Sequence, residues 1–166
     1  PYVNNSIMFV VRADSGITDK SQLSGKSVVT QSGSSALTAL TNDPGDGSND
    51  ENLALAASFS ALDQVPDYNT AFMNLESGVN DAIAVDVGVA NYQLNTRDSD
   101  LFVMLEEPLS TEQYGIGFKK GNTELADQVK KTLDEMWEDG TFMEIATNAA
   151  EAYDAPELVE MICYGE

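Results

Sequence analysis

The sequence predicts an α/β fold with a mostly parallel sheet and flanking helices. Three observations carry that expectation. Short β-rich apolar runs alternate with helical stretches from residue 27 to residue 105, the pattern of βαβ units with helices on both sheet faces. The stretch Lys26-Ser-Val-Val-Thr-Gln-Ser-Gly-Ser-Ser-Ala36 passes from a strand through a Gly/Ser turn directly into a helix. The stretch Asn80-Asp-Ala-Ile-Ala-Val-Asp86 is a buried-type strand that ends on an acid. Sheets of this kind bind ligands outside the carboxyl ends of their strands, where residues 31–35 and Asp86 both fall.

Taken in order, residues 6–11 form an apolar β-rich run and read as a buried strand. Residues 12–16 are turn-like. Thr18 or Asp19 caps a short helical turn to Leu23, and Gly25 stops it. Residues 27–31 are the next strand, and 36–42 a helix with apolar residues at 36, 37, 39 and 40. Residues 42–51 hold Pro, Gly and acids and read as a loop. Their acids resemble a calcium loop, but the Asp-x-Asp-x-Asp-Gly spacing is not met, so a solvated loop is favoured over a weak cation site. Residues 58–62 read as a strand. Asp67 or Asn69 caps a helix that runs to Ser77, with Ala71, Phe72 and Leu75 inward and Gly78 as its stop.

Residues 82–85 read as a strand, 88–94 as a short helix and 101–105 as another strand. Residues 106–112 read as a polar connector, and 114–118 (Tyr-Gly-Ile-Gly-Phe) as a strand. Thr123 is expected to cap the strongest helix. Its stripe of Leu125, Val129, Leu133, Met136 and Trp137 has helical spacing and reads as core. Gly140 stops it. Thr141 and Glu144 have capping-box spacing at the head of a further helix. The tail from Glu151 is acidic.

Composition narrows the function classes. The 166 residues carry 28 acids against 8 bases and no histidine, a net charge of -20. No basic face is offered to nucleic acid, and anionic membranes repel the chain. No run approaches a membrane span. Pro1 is followed directly by Tyr2-Val3-Asn4, without a signal peptide, which fits a mature protein or an excised piece of one. Without histidine there is no Ser-His-Asp triad, Cys-His pair or His-containing zinc site. The single cysteine, Cys163, cannot form an internal disulfide. No catalytic residue, metal or cofactor is expected.

Two features carry chemistry. The turn at 32–35 presents backbone N–H groups, with Ser34 and Ser35 as helix caps and hydroxyl donors, and so suits a carboxylate or phosphate. Asp86 offers the opposite charge, although it could equally serve only as the cap of the helix that follows. One strand end that wants an anion and one that offers an anion suit a zwitterion such as an amino acid.

The chain resembles the family 3 extracellular solute-binding proteins, the amino-acid receptors of ABC importers. The matching pieces are Pro1-Tyr2 with the strand at 7–11, residues 23–35, residues 80–86, residues 113–121 (Gln-Tyr-Gly-Ile-Gly-Phe-Lys-Lys-Gly), and Glu124 through Ile145 with its Glu-Asp-Gly-Thr-Phe-Met-Glu-Ile block. They keep the family's order and spacing over about residues 1–148.

The resemblance implies a type II periplasmic-binding-protein-like fold of two α/β lobes joined by hinge strands. Residues 1–112 are expected to be the second lobe with hinge segments, and 113–150 the C-terminal strand and helices of the first lobe. Residues 151–166 are an acidic tail where the family has a Lys-Trp-Phe-Gly ending. The N-terminal part of the first lobe, with the family's carboxylate-clamping arginine, is expected to lie outside this chain. By the same resemblance, Asp86 matches the acid that holds a ligand ammonium. Gly33, Ser34 and Ser35 match the turn that meets the carboxylate, and Gln31 a cleft-facing position that helps select the side chain.

The function so implied is extracytoplasmic binding of an amino acid, in the periplasm or anchored at the cell surface, for delivery to an ABC transporter permease. Self-association through the C-terminal strand and helices is also expected, because their apolar faces seek cover. Two other classes are an enzyme on the same fold, such as a dehydratase, and the ligand-sensing domain of a receptor. A phospho-acceptor receiver domain fits poorly, because Met8 to Arg12 supplies no acidic pair for Mg²⁺.

Overall fold

A computed structural model describes residues 1–97, 99–153 and 155–165. The chain divides into two compact units, one of residues Ser6–Thr111 and one of Pro1–Asn5 with Glu112–Glu166. Two strands run through both, β1 (Val3–Arg12) and β6 (Ser110–Tyr114).

The larger unit is the expected α/β domain. Its sheet has the order β3 (Ala61–Val65), β2 (Ser27–Gln31), β4 (Ala82–Asp86), β1, β5 (Phe102–Met104), and β6 also pairs with β1. β2 is parallel to β3 and β4, whereas β1 is antiparallel to β4 and β5. The sheet is therefore parallel apart from the inserted first strand. Its helices are α1 (Ser35–Thr41), α2 (Asp50–Ala57), α3 (Tyr68–Ser77) and α4 (Val87–Thr96).

Both faces are covered, which explains the unbroken apolar runs of the inner strands. One face buries Phe9, Val11, Val28, Ala82 and Ala84 against Ala36 and Leu40 of α1. The other buries Val10, Val29, Ile83 and Val85 against Ala71, Phe72 and Leu75 of α3. The period-two alternation of strand side chains sorts these residues cleanly between the faces. Phe72 and Phe102 meet edge to face at 5.5 Å on the second side, and Arg97 lies over the Phe72 ring at 5.5 Å.

Capping chemistry sets several boundaries. Asp19 and Gln22 form a capping box on the 3-10 turn at Lys20–Leu23. Asp67 caps α3 by accepting from Thr70 N, and Gly78 ends it with φ 75°, a conformation that suits glycine. In the loop before α2, the carboxylates of Asp43 and Asp46 accept from Gly45 N and Ser48 N. Among the described residues no group of three or more acids, cysteines or histidines could hold a metal ion.

The other unit holds α5 (Thr123–Glu138), α6 (Thr141–Ala152) and α7 (Glu157–Glu160). Tyr2 N donates to Tyr114 O, Asn4 N to Met161 O and Cys163 N to Tyr2 O, and Val3 bridges Ile162. Residues 161–163 thus pair with the first residues of the chain. Asp154 and Glu166 of the tail lie outside the described residues. Trp137, Phe142 and Tyr164 form an aromatic cluster with centroids 5.3 to 5.9 Å apart. The Gly165 backbone (φ 88°) lies against Trp137 so closely that a Cβ would overlap the indole.

Several expectations are corrected here. The strand expected at 58–62 is β3 at Ala61–Val65. Residues 58–60 are instead the turn that leaves α2, with Ser58 as its C-cap and Ser58 Oγ donating to Leu55 O. The strand expected at 114–118 lies at Ser110–Tyr114. Beyond the rung from Tyr2 to Tyr114, residues 115–119 form no strand. Asn122 and Gly140, not Thr123 and Thr141, occupy the caps of α5 and α6. The apolar stripe of α5 is not a core: none of its residues is buried, and Trp137 is 36% and Leu125 44% exposed. No helix of the described residues is long and apolar enough to cross a membrane.

Candidate functional site

The candidate residues lie at the carboxyl ends of two adjacent parallel strands of the larger unit. Gln31 is the last residue of β2. The chain then turns through Ser32 and Gly33, whose φ of 72° suits glycine. Ser32 N donates to Val65 O, which ties the turn to the end of β3. Ser34 is the N-cap of α1, its hydroxyl accepting from Leu37 N at 3.1 Å. Ser35 opens the helix, is exposed, and its hydroxyl has no hydrogen-bond partner among the described residues.

On the neighbouring strand Asp86 ends β4 and caps α4, with Oδ1 accepting from Gly88 N at 3.0 Å. The carboxylate is half-buried. The pairs Val28–Ala82 and Val29–Ile83 fix the alignment of β2 and β4, and this register brings the turn at 32–35 and Asp86 to the same edge of the sheet. A carboxylate offers about four acceptor positions, so capping and holding an ammonium are compatible.

Gln31 is half-buried, and its amide Nε2 donates to Pro66 O at 3.1 Å. Its carbonyl oxygen is the end left for a ligand contact. α1 has only seven residues, so its macrodipole is small. An anion at this turn would be held mainly by local N–H groups and hydroxyls.

One residue beneath the turn was not legible as part of a site. Thr30 is fully buried in the sheet. Its hydroxyl donates to Ala84 O at 2.8 Å and lies 3.2 Å from Ser34 Oγ. Because the Thr30 proton goes to Ala84, the proton of the second bond comes from Ser34. The Ser34 hydroxyl is thereby used inside the protein as donor and as acceptor. The sequence signal was a hydroxyl directly after the two valines of β2, and the contact to Ala84 appears only once the strand register is known.

Residues 1–149 match the family described as bacterial extracellular solute-binding proteins, family 3. The chain is similar to the ABC transporter glutamine-binding protein GlnH of Bacillus subtilis (strain 168), 30% identical over 95 residues that cover 57% of this chain and 34% of that protein. It is also similar to the glutamate-binding protein GluB of Corynebacterium glutamicum, 31% identical over 90 residues, or 52% of this chain and 30% of that protein. Among solved structures it is similar to an ABC uptake transporter substrate binding protein from Streptococcus pneumoniae with bound histidine. There the TM-score is 0.73 at 25% identity, over 89% of this chain and 58% of that one. The chain spans about a third of the length of the curated relatives it matches.

Proposed function

Because this chain belongs to family 3 of the bacterial extracellular solute-binding proteins, we propose that it binds an amino acid outside the cytoplasm and passes it to the permease of an ABC importer. The observation that carries this reading is the pairing of opposite ligand preferences at one sheet edge. The turn at Gly33, Ser34 and Ser35 offers the N–H groups of Gly33 and Ser35 and the Ser35 hydroxyl to a carboxylate, and Asp86 on the adjacent strand end offers a carboxylate to an ammonium. Gln31 is the proposed contact to the ligand side chain. The relatives support the ligand class, since they bind glutamine, glutamate and histidine.

In this proposal residues 1–112 act as the second lobe with its hinge segments. Residues 113–150 contribute a strand and helices to the first lobe, and 151–166 form a tail. The role is binding without turnover. Self-association through the C-terminal unit is part of the same reading, since Ile116, Leu125 and Ile145 are 49%, 44% and 54% exposed there.

A calorimetric screen of the common amino acids, with the ligand recovered and analysed afterwards, tests the reading. Saturable heat from one or more amino acids that are recovered unchanged is expected. Recovery of a converted product would move the protein to the enzymes of this fold.

A further inference from the structure

The two strand ends of the proposed site are joined by one buried side chain. β2 and β4 are paired in register at Val28–Ala82 and Val29–Ile83. One residue further on, a side chain makes the connection, with the Thr30 hydroxyl donating to Ala84 O at 2.8 Å. Its remaining lone pairs accept the Ser34 hydroxyl proton at 3.2 Å, and Ser34 Oγ accepts Leu37 N–H at 3.1 Å. An unbroken line of hydrogen bonds therefore runs from β4, two residues before Asp86, through β2 to the first turn of α1.

A hydroxyl buried in a sheet needs partners, and packing does not call for one here. Val28 and Val29 fill the same strand with isopropyl groups and are also fully buried, so a valine at 30 would satisfy volume equally well. We infer that Thr30 is a positioning residue for the proposed ligand site: through Ser34 and Ala84 it sets the separation between the carboxylate-facing turn and Asp86. The inference rests on the amino-acid reading above. It also divides the two serines. Ser34 is held inward by Thr30, and Ser35 is left to present its hydroxyl outward.

The test uses the full chain, isotope-labelled and titrated with L-glutamine, L-glutamate, L-arginine and L-histidine, with the amide signals of Gly33, Ser35 and Asp86 followed by NMR. For any amino acid that titrates, Thr30→Val is expected to weaken binding about threefold to tenfold, while Thr30→Ser stays within about twofold of the parent. The double variant Thr30→Val with Ser34→Ala should bind like Ser34→Ala alone, because both changes break one line of bonds.

Equal affinity for Thr30→Val and the parent, or additive losses in the double variant, would overturn the positioning role and leave the amino-acid site standing. A parent chain whose Gly33, Ser35 and Asp86 signals move with none of the four amino acids removes the proposed site, and this inference with it. Should Thr30→Val lose its native spectrum, Thr30→Cys makes the same comparison with only a weak donor. An affinity equal to the parent's would again overturn the role.

Discussion

One substitution separates the cap that Asp86 forms from its proposed ligand contact. As an N-cap it accepts from Gly88 N, and asparagine caps a helix about as well as aspartate. As a ligand contact it needs its charge. Asp86→Asn should therefore leave the unfolding midpoint nearly unchanged and weaken amino-acid binding about tenfold to hundredfold, the worth of a hydrogen bond to a charged group. Unchanged affinity would reduce Asp86 to a cap. The serines divide the other way. Ser34→Ala removes the cap on Leu37 N and should cost about 1 kcal/mol of stability, measured by denaturant unfolding. Ser35→Ala breaks no internal bond and should cost little, so an equal loss in both variants would contradict the assignment of the cap.

At the scale of elements, the aromatic cluster beside α5 predicts a pH response. Lys130 Nζ lies 2.8 Å from both Asp134 oxygens, and Tyr164 OH donates to Asp134 Oδ1 at 2.7 Å. The bond from Lys130, then that from Tyr164, holds the Asp134 carboxyl below its ordinary 3.8. The bond to Asp134 raises Lys130 above 10.5 and Tyr164 above 10.0. A depressed acid stabilises the fold above its unfolded value and loses that contribution as pH falls through its folded value. The raised Lys and Tyr contribute below their unfolded values and lose it as pH rises through their folded ones. The cluster should thus hold between the ordinary values of 3.8 and 10.0. Trp137, the only tryptophan, sits 5.9 Å from Tyr164 and reports on it. Its fluorescence should be flat across neutral pH and change only towards either limit, and a midpoint near pH 7 would contradict the network.

The same elements show what sequence reading could reach. The βαβ alternation and the caps at Asp19, Asp67 and Ser34 depend on local chemistry and were legible. The strands at 58–62 and 114–118 were misplaced because apolar alternation says nothing about where a hydrogen-bonding partner ends. β3 is an edge strand that carries exposed Asp63 and Gln64, so its sequence looks unlike a strand. The α5 stripe is helical as expected, yet periodicity alone cannot say what a face packs against. At the candidate site, Ser34, Ser35 and Asp86 could be read from turn and strand-end chemistry, whereas Thr30 needed the register of β2 on β4.

For the whole molecule, charge and apolar exposure pull in opposite directions. The net charge of -20 keeps copies apart, while grooves of about 450 and 380 Å³ in the C-terminal unit are lined by exposed Ile116 and half-buried Leu133. Salt decides between them. Raising ionic strength from about 0.01 M to about 0.15 M shortens the screening length from roughly 30 Å to roughly 8 Å. Sedimentation velocity at tens of micromolar should then show a dimer fraction that grows with salt. A monomer at every salt concentration would remove the proposed self-association.

The proposed site holds a zwitterion at the carboxyl ends of β2 and β4. Each charge-assisted hydrogen bond there contributes about 1.5–3 kcal/mol, against an association cost of at least about 4 kcal/mol. Two or three such bonds leave this chain well short of the roughly -8 kcal/mol of a micromolar complex. The most direct measurement is an NMR titration of the full chain with L-glutamine, L-glutamate, L-arginine and L-histidine, read at every backbone amide. For the proposed site, shifts concentrated at residues 31–35 and 86–88, saturating no tighter than about millimolar, are expected. Saturating shifts confined to the C-terminal unit, or none at these strand ends with any of the four, would contradict it.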